Sequence, residues 1–269
     1  MTDFPTDNLW IALAVTTAAG LATGLGSLLV FASKKPNARM LAFGLAFAGG
    51  AMVYVSLAEI LNKSIASFTL AYGDRLGFTW GTLSFLAGVG LIMLIDHLVP
   101  NPHERLEADD PYFREHNRDY IKRVGLLTAL AITAHNFPEG LATFFATLGD
   151  PGVGMPLAFA IAIHNIPEGI AIAVPVYFAT NNKTYAFLAC LLSGLAEPVG
   201  AIIGYVLLRP FLSDAVFGAV FGVIAGVMVF LALDELLPAA KRYAKGHETV
   251  YGLVSGMAAL AISLILFKW

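Results

Sequence analysis

Eight long apolar stretches alternate with short polar breaks along the chain, at about 9–31, 40–62, 79–99, 121–147, 153–179, 184–208, 212–238 and 249–267. Each is long enough to cross a hydrocarbon core ~30 Å thick, which takes ~20 helical residues. The pattern predicts an all-α, polytopic membrane protein of eight transmembrane helices, folded as one domain over residues 1–269.

The breaks divide the basic residues unevenly. With the N-terminus placed outside, the inner loops collect Lys34, Lys35, Arg39, Arg105, Arg114, Arg118, Lys122, Arg123, Lys183, Lys241, Arg242 and Lys245. The outer segments hold Lys63, Arg75, Arg209 and Lys268, which accounts for all 16 basic residues. One span more or fewer would mix the two sets. The positive-inside bias thus puts both termini outside, in the periplasm of a Gram-negative cell. The one sizeable break, about 100–120, holds Pro100, Pro102, His103, Glu104, Glu107, Asp109, Asp110, Glu115, His116 and Asp119. It predicts a flexible cytoplasmic loop, in composition a polar linker whose histidines could also receive a metal ion.

Composition sharpens the picture. Only 13% of residues are charged, about half of what a soluble domain needs to cover its surface, so most of the outer surface faces lipid. A net charge of -3 suggests no nucleic-acid partner. The single cysteine, Cys190, excludes an internal disulfide framework and a Cys-rich metal site. Leu9 to Phe31 lacks the basic start and cleavage site of a secretory signal and reads as a retained first span. Trp10, Trp80 and Trp269 fall near span ends, where interfacial anchors belong. The same interfacial setting accounts for Glu59, Asp96, His97, Asp234 and Glu235. Gly20 and Gly24, Gly200 and Gly204, and Gly218, Gly222 and Gly226 have the spacing that lets helix backbones pack closely.

The fourth stretch contains His135-Asn136-Phe137-Pro138-Glu139-Gly140, and the fifth His164-Asn165-Ile166-Pro167-Glu168-Gly169. The sixth adds Ser193-Gly194-Leu195-Ala196-Glu197-Pro198. At 1.5 Å per residue, His135, His164 and Glu197 lie roughly 17–20 Å along their spans, near the middle of the membrane. Ionisable side chains at that depth are expensive unless paired, hydrated or coordinated, and so mark a pathway or site. His and Glu at i and i+4 share a helix face, and the intervening Asn borders it. Two such faces on antiparallel neighbours, with Glu197 beside them, can surround one or two cations. Histidine and carboxylate ligation without thiolate suits zinc, iron(II), manganese, cobalt or cadmium better than copper(I). Pro138 and Pro167 remove a backbone hydrogen bond each, predicting a kink one turn before each glutamate. Ser56 and Thr143 are expected to bond to backbone or to neighbouring helices.

These motifs closely resemble the ZIP family of zinc and iron transporters, its bacterial branch in particular. The likeness covers nearly the whole chain in length, span number, the polar loop after the third span and the doubled motif. It implies a two-metal site built by the fourth, fifth and sixth spans. The zinc-type position would use Glu139, His164 and Glu168, with His135 as an extra ligand. The adjoining position would use Asn136, Glu139, Asn165, Glu168 and Glu197, with Glu139 and Glu168 bridging. In some members the second span supplies a further ligand, for which Met52 is a weak match. The resemblance also implies uptake into the cytoplasm across a bacterial inner membrane, spans one, four, five and six carrying the metal within a frame of the others, and a homodimer.

The expected function is therefore divalent metal transport by alternating access, zinc first. Iron(II), manganese, cobalt and cadmium are further candidates, carried as cargo and not held as a cofactor. The partners are these ions and the lipid bilayer. The alternative is a membrane-embedded metalloenzyme, a hydrolase. The chain has no H-E-x-x-H, and no serine or cysteine nucleophile paired with a base on these spans, so the expectation is not an enzyme.

Overall fold

The structure, a computed structural model, describes residues 8–32, 38–98, 133 and 136–268. Among these residues there is helix and no strand. The helices are α1 (Leu9–Ala32), α2 (Ala38–Val55), α3 (Leu61–Tyr72), α4 (Asp74–Leu98), α5 (136–149), α6 (Pro151–Thr180), α7 (Lys183–Gly194), α8 (Ala196–Leu208), α9 (Asp214–Leu231), α10 (Leu237–Tyr243) and α11 (Glu248–Lys268). Seven segments of the described residues are long and apolar enough to cross a membrane: Leu9–Leu28, Ala42–Tyr72, Asp74–Ile95, Pro151–Val174, Lys183–Phe211, Asp214–Tyr243 and Glu248–Leu266. Helix α5 belongs to the predicted fourth span, whose first half lies outside the described residues. So do the 100–120 loop, His135 and Trp269. The chain is an all-α, multi-pass membrane protein.

Polar residues set the helix ends. Asp150 caps α6 by accepting from the Gly152 amide at 2.9 Å, with Pro151 in the first turn where its missing N–H costs nothing. Asn182 caps α7 through the amides of Thr184 and Tyr185, and Ser213 caps α9 through that of Val216. Gly73, at φ 83°, turns α3 into α4.

The structure departs from the sequence pattern in two places. The second span does not stop near residue 62 but runs on to Tyr72. Asn62 and Lys63 look like a terminus, yet Ile60, Ser64 and Phe68 recur on one face and bury it against α9. The Ser64 hydroxyl donates to the Gly218 carbonyl at 2.6 Å. The sixth span is divided at Leu195 into α7 and α8, although Leu195 keeps helical dihedrals and its carbonyl still accepts from the Val199 amide at 3.3 Å. Pro198 leaves the Gly194 carbonyl without its helical donor. Helix α6 continues through Pro167.

Spans two and seven each contain a five-residue π turn, at Ser56–Ile60 and Ala232–Leu236. The first packs on α9 and the second on α2. Their sequences correspond: with SLAEI laid over ALDEL, the two spans are identical at Gly50 and Gly226, Met52 and Met228, Val53 and Val229, Leu57 and Leu233, Glu59 and Glu235, and Leu61 and Leu237. Glu59, Asp234 and Glu235 therefore sit at π turns in partly buried positions, and Glu59 pairs with Lys63 at 3.6 Å.

The helices form two groups. Helix α1 lies along α6 and α7, while α11 lies along α2, and α9 against α3 and α4. Glycines mark both sets of contacts. A Cβ on Gly20 would stand 2.2 Å from the Gly194 carbonyl oxygen, and one on Gly169 would stand 1.9 Å from that of Thr23. In the other group a Cβ on Gly226 would meet the Phe85 carbonyl oxygen at 2.1 Å. Among the described residues every approach this tight joins helices of one group. Across the groups α2 also lies along α6, and there the glycine approach is wider. A Cβ on Gly44 would be 3.8 Å from the Pro167 ring, and Phe145 meets Phe217 edge to face at 5.5 Å.

Candidate metal centre

The six described candidate ligands, Asn136, Glu139, His164, Asn165, Glu168 and Glu197, are all wholly buried. Glycines bring their helices together. Gly140, the last residue of the first motif, lies against the backbone of Glu197, where a Cβ would be 2.1 Å from the carbonyl oxygen. Gly169, last in the second motif, admits the backbone of α1 at Thr23. The same motif position thus serves two different crossings.

Glu139 Oε1 and His164 Nε2 are 2.9 Å apart. Ligand atoms of Glu139, His164 and Glu168 all lie within 4.8 Å of one another, close enough to meet on one ion with small side-chain movements. On the α8 side, the Asn165 amide nitrogen donates to Glu197 Oε1 and, at 2.9 Å, to the Ala19 carbonyl. The Asn136 amide nitrogen is 3.0 Å from the Ser193 carbonyl oxygen and 3.3 Å from its hydroxyl. Asn136 Oδ1, Asn165 Oδ1 and Glu197 Oε2 have no hydrogen-bond partner among the described residues. Buried acceptors without donors are rare and call for a ligand or water. This donor set, one imidazole, carboxylate oxygens and amide oxygens, fits divalent cations of intermediate hardness.

The arrangement also has an energetic signature. A carboxylate at the bilayer centre costs about 3 kcal/mol on insertion scales. Three of them, Glu139, Glu168 and Glu197, would consume most of the roughly 5–15 kcal/mol that holds a domain folded. A bound divalent cation would offset that penalty, as protonation would; apolar packing cannot.

Sequence reasoning missed two contributors. Ser193 and Ala19 act through backbone carbonyls, which every residue possesses. The available signal was indirect: Thr16, Thr23 and Ser27 make a buried polar stripe along an otherwise apolar α1. Cys190 is buried with its thiol directed to the Gly169 carbonyl at 3.2 Å. Ser56 and Thr143, expected to find partners, are wholly buried with hydroxyls that have none among the described residues. Met52 is buried in α2.

Comparison with known proteins places this geometry in context. A family model described as ZIP Zinc transporter matches residues 109–264. The chain is 78% identical over 269 residues to the zinc transporter ZupT of Stenotrophomonas maltophilia (strain K279a), covering the whole of both. It is 68% identical over 269 residues, again the full length of both, to the zinc transporter ZupT of Neisseria meningitidis serogroup B. The protein of the same name from Lysinibacillus sphaericus (strain C3-41) is 50% identical over 264 residues, 96% of this chain and 98% of that one.

Proposed function

This chain belongs to the ZIP zinc transporter family, with ZupT-type relatives along its full length, and from that premise we propose that it carries zinc across a bacterial inner membrane through a two-metal site at the bilayer midplane. Members of this family are transporters and not enzymes, so the hydrolase alternative falls away. Glu139, His164 and Glu168 form the zinc-type position, with His135 as a further ligand. Asn136, Asn165 and Glu197 complete an adjoining position, and Glu139 and Glu168 bridge the two. The supporting observation is the convergence of Glu139, His164 and Glu168 within 4.8 Å, wholly buried, in a protein built of membrane-spanning helices.

Transport runs from outside into the cytoplasm by alternating access. The ion sheds its water and binds at the midplane. The group containing α1, α5, α6, α7 and α8 then shifts against the group containing α2, α3, α4, α9, α10 and α11. That the tightest glycine approaches all fall within one group or the other supports this division. Oxygen-rich ligation extends the cargo to iron(II), manganese, cobalt and cadmium. Both termini lie in the periplasm, the protein is one domain with a cytoplasmic loop at about 100–120, and two copies form a homodimer.

The test is zinc uptake by sealed vesicles carrying the protein. Glu168→Ala should abolish uptake, to below about 1% of the parent, at an unchanged level in the membrane. Normal transport by this variant would take Glu168 out of the site.

A further inference from the structure

Both hydrogens of the Asn165 amide nitrogen are placed. One goes to the carbonyl of Ala19 in α1 and the other to Oε1 of Glu197 at the start of α8. Asn136 is held in the same sense by the carbonyl of Ser193. A backbone carbonyl can only accept, so the orientation of both amides follows from chemistry: nitrogen to the carbonyl, Oδ1 turned to the remaining space. All three side chains are wholly buried, and Asn136 Oδ1, Asn165 Oδ1 and Glu197 Oε2 lack donors among the described residues.

We propose that Asn165 is a positioning residue for Glu197: its NH₂ group, braced on the Ala19 carbonyl of α1, turns the Glu197 carboxylate so that Oε2 faces the metal. The inference rests on the transport reading above and adds a role for a helix that carries no ionisable side chain between Leu9 and Ala32. Glu197 stands in the first turn after Leu195, where Pro198 leaves the Gly194 carbonyl without its helical donor, and the Asn165 amide is the hydrogen bond that fixes its Oε1. Asparagine is suited to the task because it presents a double donor and an acceptor on one flat group. A carboxylate at position 165 would set two acceptors against the Ala19 carbonyl and Glu197 Oε1, with like charges in hydrogen-bond contact. A residue serving only as an oxygen ligand would behave in the opposite way, since aspartate binds a divalent cation more strongly than asparagine does.

The test is zinc uptake by the full-length protein in proteoliposomes for Asn165→Asp, Glu197→Gln and the exchange Asn165→Asp/Glu197→Gln. The exchange keeps the net charge and restores a donor facing an acceptor, with the two roles reversed. We expect Asn165→Asp to lose at least about tenfold in uptake at low zinc, and the exchange to recover well above either single variant, a coupling read from the double-mutant cycle. Uptake by Asn165→Asp at or above the parent level would overturn the inference, as would an exchange variant no better than the weaker single. If Asn165→Asp does not accumulate, membrane level becomes the readout, and the exchange must restore it. If the parent moves no zinc, the transport reading has failed; the same cycle on thermal unfolding of the metal-free protein then still reads the bond, and absence of coupling there overturns it.

Discussion

Each polar side chain in the proposed centre meets a different set of neighbours. His164 is the only described imidazole in the cluster with Glu139 and Glu168, and a nitrogen ligand favours zinc over manganese more than an oxygen does. Replacing it with an oxygen ligand, His164→Asp, should shift the zinc-to-manganese uptake ratio toward manganese by about tenfold, equivalent to ~1.4 kcal/mol of lost preference. Uptake of each ion measured singly and in competition checks this, and an unchanged ratio would remove His164 from the ligand set. The paired hexapeptides made Asn136, Glu139, His164, Asn165, Glu168 and Glu197 readable as one group, because their residue types are costly in lipid and their spacing fixes a face. Ala19 and Ser193 could not be read, since a main-chain carbonyl leaves no trace in the side-chain alphabet.

The helices pack through glycine where backbones must touch, and this gives each crossing a different tolerance. A Cβ on Gly194 would lie 2.0 Å from the Gly20 carbonyl oxygen, whereas one on Gly24 would find its nearest neighbour, the Phe187 ring, at 3.8 Å. Gly194→Ala should therefore push α1 away from α7 at a cost of roughly 1–3 kcal/mol, while Gly24→Ala leaves stability unchanged or raises it slightly. Thermal unfolding in detergent should show the first lowered by several degrees and the second not; equal midpoints would mean that α1 is free to move from α7. The existence and order of the spans were plain from hydropathy alone. The division at Leu195 was hidden because Pro198 passed as part of a motif. The π turns were hidden too, although the match between SLAEI and ALDEL was present in the sequence; they depend on an extra residue per turn that hydrophobic periodicity does not register.

At the scale of the whole molecule, the tightest glycine contacts lie inside each group, and α2 meets α6 across the seam between them. If that seam slides, a bridge across it should stop transport and a bridge within one group should not. In a Cys190→Ser background, Phe145→Cys with Phe217→Cys would span the seam, replacing rings 5.5 Å apart. Phe144→Cys with Tyr205→Cys, replacing rings 5.6 Å apart, lies within one group and is the matched control. Treatment with a bifunctional thiol reagent should abolish zinc uptake in the first pair and spare the second, and two active cross-linked proteins would mean that the seam is static. Such a partition cannot be read from a single chain's hydropathy, because membrane helices look alike whichever neighbour they choose. The brace from Asn165 to the Ala19 carbonyl reaches across 146 positions of chain. On a ribosome adding about 5–20 residues per second, the first helix is made roughly seven to thirty seconds before its partner. Through that interval its hydroxyl-bearing side has neither α6 nor α7 to cover it, so the nascent chain must shelter it in the insertion machinery or against provisional neighbours, and newly made protein stays incapable of holding cargo until the later helices arrive.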